Sequence, residues 1–190
     1  MTRYWVIRMS IKKDTDAWKI GFDNNFVAIG WAYLGDPVSL NIEDLVENMK
    51  TGLEAKPLGN GEYEVDYGEG PKVKKEKSFV NDAHAIRRFI DEVQKGDIMI
   101  LPRYEEEYSD LWGYCIGRVT SDFSYHPENR QEDQEWYGTR WDVEWLKEVP
   151  KTQVSEKLRR SIDIPGTFHE IMRQEDEIET IIKDEKFGIK

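Results

Sequence analysis

The chain carries one cysteine, Cys115, in 190 residues. A single thiol excludes an intramolecular disulfide and any cysteine-rich zinc site. It also points to a reducing, cytoplasmic setting. Histidine is nearly as scarce: His84, His126 and His169 stand far apart, and none has metal-ligand spacing to another His or Cys. No glycine loop sits between a strand and a helix where it could cradle phosphate, since Gly59–Gly61 and Gly68–Gly70 lack that context. No apolar run approaches the roughly 20 residues that a membrane helix needs. Tyr4 and Trp5 open a strand pattern with no signal peptide ahead of them. Basic charge is also short, with 27 Lys and Arg against 38 Asp and Glu and a formal net charge of −11. Sequence-blind nucleic-acid affinity comes from Lys and Arg neutralising phosphates. An acidic chain can therefore bind nucleic acid only through a local patch or a base pocket.

What is present is a chain able to build a core. Hydrophobic residues make up 38% and charged residues 34%, which fits one domain with or without appendages. Tyr4–Met9 alternates and is rich in β-formers, so it reads as a strand. Ala17–Phe22 reads as a short helical turn with Trp18 and Phe22 on one face. Phe26–Trp31 reads as a second strand, with Gly30 allowing a turn before Trp31. Asn41 and Asp44 sit at capping-box spacing ahead of a helix that runs to about Leu53. Residues 55–78 are Gly- and Lys-rich and read as a long loop or weak hairpin, an insertion in the domain. Asn81 or Asp82 is the expected cap of the next helix, whose apolar stripe is Ala85, Ile86, Phe89, Ile90 and Val93.

Further on, Ile98–Leu101, Leu111–Thr120 and Arg140–Leu146 read as strands. The last puts Trp141, Val143 and Trp145 on one face. Ser155–Ile162 is a short helix, and Thr167–Ile171 is a final short strand or a lead into the next segment. Residues 172–190 read as a helical C-terminal extension to a domain spanning 1–171. Strands without regular βαβ alternation predict an α+β fold. A small closed or partly closed β-barrel with helices packed outside is the expected geometry.

Catalytic constellations are absent from the pattern. Cys115 lies mid-strand without a base nearby and reads as a buried small apolar residue. Glu105–Glu107 reads as a solvated charge run, and His84 as a surface or packing residue on a helix. No catalytic residue, metal ligand or cofactor is expected. The aromatic residues carry more information. Trp5, Trp141 and Trp145 fall within strands and read as core, and Trp18 packs beneath the first helix. Trp31 stands at a strand exit and Trp136 in a polar loop. Such rings either plug the core or wall a pocket for a flat ligand, and an exposed Trp calls for a partner.

The order of short segments carries a resemblance. Tyr4-Trp5-Val6-Ile7-Arg8, Val27-Ala28-Ile29-Gly30-Trp31, Lys95-Gly96-Asp97-Ile98, Gly113–Val119 and Arg140–Leu146, followed by a late Leu-Arg-Arg-Ser, resemble the PUA-like superfamily in its EVE and YTH branches. The resemblance covers about residues 4–171. It implies a PUA-like barrel that binds a modified, methylated base in an aromatic cage. Trp31 and Trp136 match the cage positions, and Asp23, Asn24 and Asn25 could supply polar contacts to a base edge. Arg118, Arg140, Arg87 and Arg88 would meet the nucleic-acid backbone, together with Lys72, Lys74 and Lys75. The implied partner is nucleic acid with a modified base, DNA rather than RNA. The implied context is a prokaryotic modification-dependent restriction system with an effector nuclease or NTPase. Two alternatives remain open: a nuclease-associated enzyme of the same superfamily, or an acidic protein-interaction module.

Overall fold

A computed structural model describes residues 2–9, 17–29, 34–66, 70–104, 111–126 and 137–189. Among these, seven strands form one curled sheet in the order β10-β1-β6-β7-β9-β2, with β8 pairing β9. The strands are β1 (Tyr4–Ile7), β2 (Phe26–Ile29), β6 (Ile98–Tyr104), β7 (Leu111–Val119), β8 (Ser124–Tyr125), β9 (Thr139–Pro150) and β10 (Phe168–Glu170). Five helices accompany them: α1 (Ala17–Asp23), α2 (Ile42–Gly52), α3 (Glu76–Asp91), α4 (Glu156–Ile162) and α5 (Glu175–Lys183). The class is α+β, as expected.

The long strand β9 bends the sheet. Its first part pairs with β2 and its second with β7. The β7–β9 register shifts between Ile116 and Gly117, which lets Ile116 face Lys147 and Gly117 face Trp145. One extra residue on one strand raises local twist and turns the strand. Gly117 is needed there, because an added Cβ would lie 2.2 Å from Val143 Cγ1 and 2.7 Å from Trp145 Cε3.

Both faces of the sheet are covered. One core gathers Trp5, Leu101, Cys115, Trp141 and Trp145 against α1, α2 and α3. The other gathers Val6, Ile100, Ile116 and Val149 against α4 and α5. The four tryptophans expected inside are 0–7% exposed: Trp5, Trp18, Trp141 and Trp145. Residues 172–190, read from the sequence as an extension, place Ile178, Ile181 and Phe187 in the second core.

Of the two readings of residues 55–78, a long loop or a weak hairpin, the described residues fit the second. They contain a three-stranded antiparallel sheet, β3 (Lys56–Gly59), β4 (Glu62–Asp66) and β5 (Pro71–Lys75), and the start of α3. Helix α3 begins at Glu76, ahead of the expected caps Asn81 and Asp82. The amide of Glu76 donates to Gly61 O at 2.8 Å, so the strand turn satisfies the helix start. Asp82 instead holds Lys74 Nζ at 2.7 Å. The capping box at Asn41 and Asp44 is formed in both directions.

Candidate nucleic-acid interface

Strand β2 pairs antiparallel with β9 through Phe26–Asp142, Val27–Trp141, Ala28–Arg140 and Ile29–Thr139. This register brings two distant parts of the chain to one end of the sheet. Trp31 follows Ile29 by two residues, and Trp136 precedes Thr139 by three. Both tryptophans lie outside the described residues. The amide of His126 donates to Gly138 O at 2.8 Å, closing the base of the segment that contains Trp136. The ring of Tyr137, next to Trp136, lies 5.7 Å from Phe26 of β2.

Asp23, Asn24 and Asn25 stand at the other end of β2. They form the turn that reverses the chain from α1. Asn25 has φ 57°, a left-handed conformation that Asn tolerates. Asn24 Nδ2 donates to Ile20 O at 2.8 Å, and Asn25 O accepts from Val143 N at 2.8 Å. These three residues line an open cleft of about 710 Å³ with Phe22, Thr120, Asp142, Glu144, Trp145 and Ile189. The structure thus places them a strand's length from where the chain departs towards Trp31.

The four arginines expected at phosphates divide into two pairs. Arg87 is committed internally. It pairs with Asp91, and its Nη1 donates to the carbonyls of Pro37, Val38 and Leu40 at 3.2–3.4 Å. Arg88 pairs with Glu92 at 3.3 Å and Glu170 at 3.4 Å, and its guanidinium lies 5.3 Å from the Trp5 ring centroid. Both are therefore engaged in contacts within the fold. Lys74 is likewise held, by Asp82.

Arg118 is exposed on β7. Arg140 stands at the β2–β9 end described above, its guanidinium 5.3 Å from the Phe26 ring and 3.9 Å from Asp142. Its Nε is buried and has no hydrogen-bond partner. A residue that sequence reading passed over joins this end: His126 Nε2 lies 3.0 Å from Ser124 Oγ, and Ser124 pairs with Arg140 in the β8–β9 register. Strand β8 is two residues long, too short to leave an alternating signal.

Cys115 is inert by position. Burial, with the Glu148 carboxylate nearby, pushes its thiol up to about 12. Among the described residues, no group of three or more His, Cys, Asp or Glu is placed to hold a metal ion. No helix among them is long and apolar enough to cross a membrane.

These features define an α+β domain with a curled half-barrel sheet and a candidate interface where β2 and β9 meet. Residues 5–171 match the family described as Domain of unknown function (DUF8426), and the chain belongs to that family. No curated protein matches it in sequence. Solved structures similar to it include the Pho92 YTH domain in complex with m6A, with 14% identity, a TM-score of 0.41, and coverage of 98% of this chain and 88% of that one. Another is human THYN1 in complex with DNA containing 5-methylcytosine, with 9% identity, a TM-score of 0.37, and coverage of 97% and 99%. A third is Atu2648 from Agrobacterium tumefaciens, with 13% identity, a TM-score of 0.35, and coverage of 96% and 92%.

Proposed function

We propose that this chain is a noncatalytic reader that binds a modified, methylated nucleobase between Trp31 and Trp136. The observation that supports the reading is the pairing of Ile29 with Thr139, since Trp31 follows the first by two residues in sequence and Trp136 precedes the second by three. A base held between two rings gains about 1–3 kcal/mol per stacking contact. That gain offsets the few kcal/mol needed to take a base out of a duplex. Arg140, beside the same end, is the cation for an adjacent phosphate, and Arg118 is a second, more distant one.

DNA is the proposed nucleic acid, and restriction in a cytoplasmic setting, with a nuclease or NTPase as effector, is the proposed context. The test is a binding screen with DNA and RNA oligonucleotides that differ in one modified base. The reading expects one modification to bind at least about tenfold more tightly than its unmodified counterpart, equivalent to about 1.4 kcal/mol. Equal affinity for every modified and unmodified pair would overturn it.

A further inference from the structure

Several arginines in this fold rest on aromatic rings, and most of them are also paired. Arg3 and Arg88 lie over Trp5, at 4.2 and 5.3 Å, and both bond Glu170. Arg103 lies 5.2 Å from the Trp18 ring centroid, and its Nη1 is taken by Glu148. Arg140 has the ring and lacks the acceptor. Its guanidinium lies 5.3 Å from the Phe26 ring centroid. Among the described residues, none of its side-chain nitrogens makes a hydrogen bond. The Asp142 carboxylate stays 3.9 Å from Nε, beyond hydrogen-bond reach.

The side chain is nonetheless held. Arg140 stands between two strands, paired with Ala28 of β2 and Ser124 of β8. Phe26 beneath it is 6% exposed, and the ring of Tyr137 packs on Phe26 at 5.7 Å. The Arg140 side chain is 22% exposed. Of its nitrogens only Nε is both buried and unpartnered, so the unpaired Nη groups reach solvent. Arg118 is exposed, and no ring contact of this kind holds it among the described residues.

We propose that Phe26 is a positioning residue that aims the Arg140 guanidinium at one phosphate group of a nucleic-acid backbone. The inference rests on the nucleic-acid reading above and adds what orients its cation. An aromatic face attracts a guanidinium without accepting its N–H groups. The Nη groups therefore stay available as a fork for two oxygens of one phosphate. A carboxylate in the place of Phe26 would occupy the fork and cancel the charge, as Glu148 does for Arg103. A lysine at position 140 would carry the charge without the plane or the fork.

The experiment follows the Arg140 Nε–H signal in proton–nitrogen NMR spectra of the full chain, assigned with Arg140→Lys. The probe is single-stranded oligothymidylate at low salt, where phosphate contacts are strongest. Inorganic phosphate is titrated separately. Oligothymidylate carries no modified base, so this result and the base screen above succeed or fail independently. The expected result is a saturable shift with oligothymidylate. Arg140→Lys keeps the charge and should weaken oligothymidylate binding about fivefold, read by fluorescence anisotropy. Phe26→Leu should weaken it about as much, and Phe26→Tyr, which keeps the ring, should restore it. If thermal melts show Phe26→Leu unfolded, a nuclear Overhauser contact between the Phe26 ring and Arg140 Hδ in the bound wild type decides the same point. A response to inorganic phosphate alone, no saturable shift with either probe, wild-type affinity in Arg140→Lys or in folded Phe26→Leu, or loss of the ring contact on binding would each overturn the proposal.

Discussion

Asp97 is 3% exposed, yet it is a carboxylate. It accepts from Trp5 Nε1 at 2.9 Å, from the amide of Arg3 at 2.9 Å and from the amide of Gln94 at 3.0 Å. Above the same indole, Arg3 lies 4.2 Å from the ring centroid and pairs with Glu170 at 2.7 Å and Glu92 at 2.8 Å. The Arg3 guanidinium holds the Glu170 carboxyl below the usual carboxylate range. Asp97→Ala should leave the buried Trp5 indole donor and two part-buried amides without this acceptor and cost about 2–4 kcal/mol, measured by urea unfolding. Arg88 belongs to this network. Arg88→Ala should lower the melting temperature and leave nucleic-acid affinity unchanged, whereas Arg140→Ala should reverse the pattern. From the sequence alone all four arginines looked alike. Glu170, which holds Arg88, lies 82 positions away in sequence, and Pro37, which holds Arg87, lies 50 away. No local pattern reveals such partners.

At the scale of elements, the bend in β9 decides where the candidate site falls. Gly117→Ala should crowd Val143 and Trp145 and destabilise the chain by about 1–3 kcal/mol, as overpacking does. Gly188→Ala, where an added Cβ meets nothing within 4 Å, is the matched control by urea midpoint. Elements with a buried face were legible in the sequence, because burial imposes periodicity: α2 with its capping box, the alternation of β9, and the stripe of α3. Of the β3–β5 sheet only a weak hairpin was legible, and its outer strands were not. Every residue of β3 is exposed, and β5 is exposed at four of five positions, so no apolar alternation marked them as strands. Asn81 and Asp82 resemble helix caps, but the helix start is supplied by Gly61 O, which a capping pattern cannot show. The order of segments pointed to Trp31 and Trp136, which lie outside the described residues. Asp23–Asn25 precede β2, and Trp31 follows it in sequence.

At the scale of the molecule, charge and protonation make separate predictions. His169 is held by Ser161 O at 2.8 Å while its Nδ1 is buried without a partner. Burial lowers its pKa below the ordinary imidazole value, with Arg8 and Arg88 adding to the effect. The unfolded chain therefore binds this proton more readily than the folded one. The contribution of His169 is complete above about pH 6.5 and is lost as pH falls through the lowered folded value. Wild type should lose more stability than His169→Gln between about pH 7.5 and pH 5.5, read as the shift in urea midpoint.

The net charge of −11 and the internal pairing of Arg87 and Arg88 leave few cations for phosphate. If Arg118 and Arg140 are the contacts, the slope of log K against log salt should be about −2 or shallower, at about −0.9 per neutralised phosphate. The base pocket must then supply most of the affinity. The most direct test is the affinity of wild type, Trp31→Ala and Trp136→Ala for one oligonucleotide in modified and unmodified form, with thermal melts to confirm folding. The account predicts discrimination of about tenfold or more in wild type and its loss in both folded variants. Undiminished discrimination in both would contradict it.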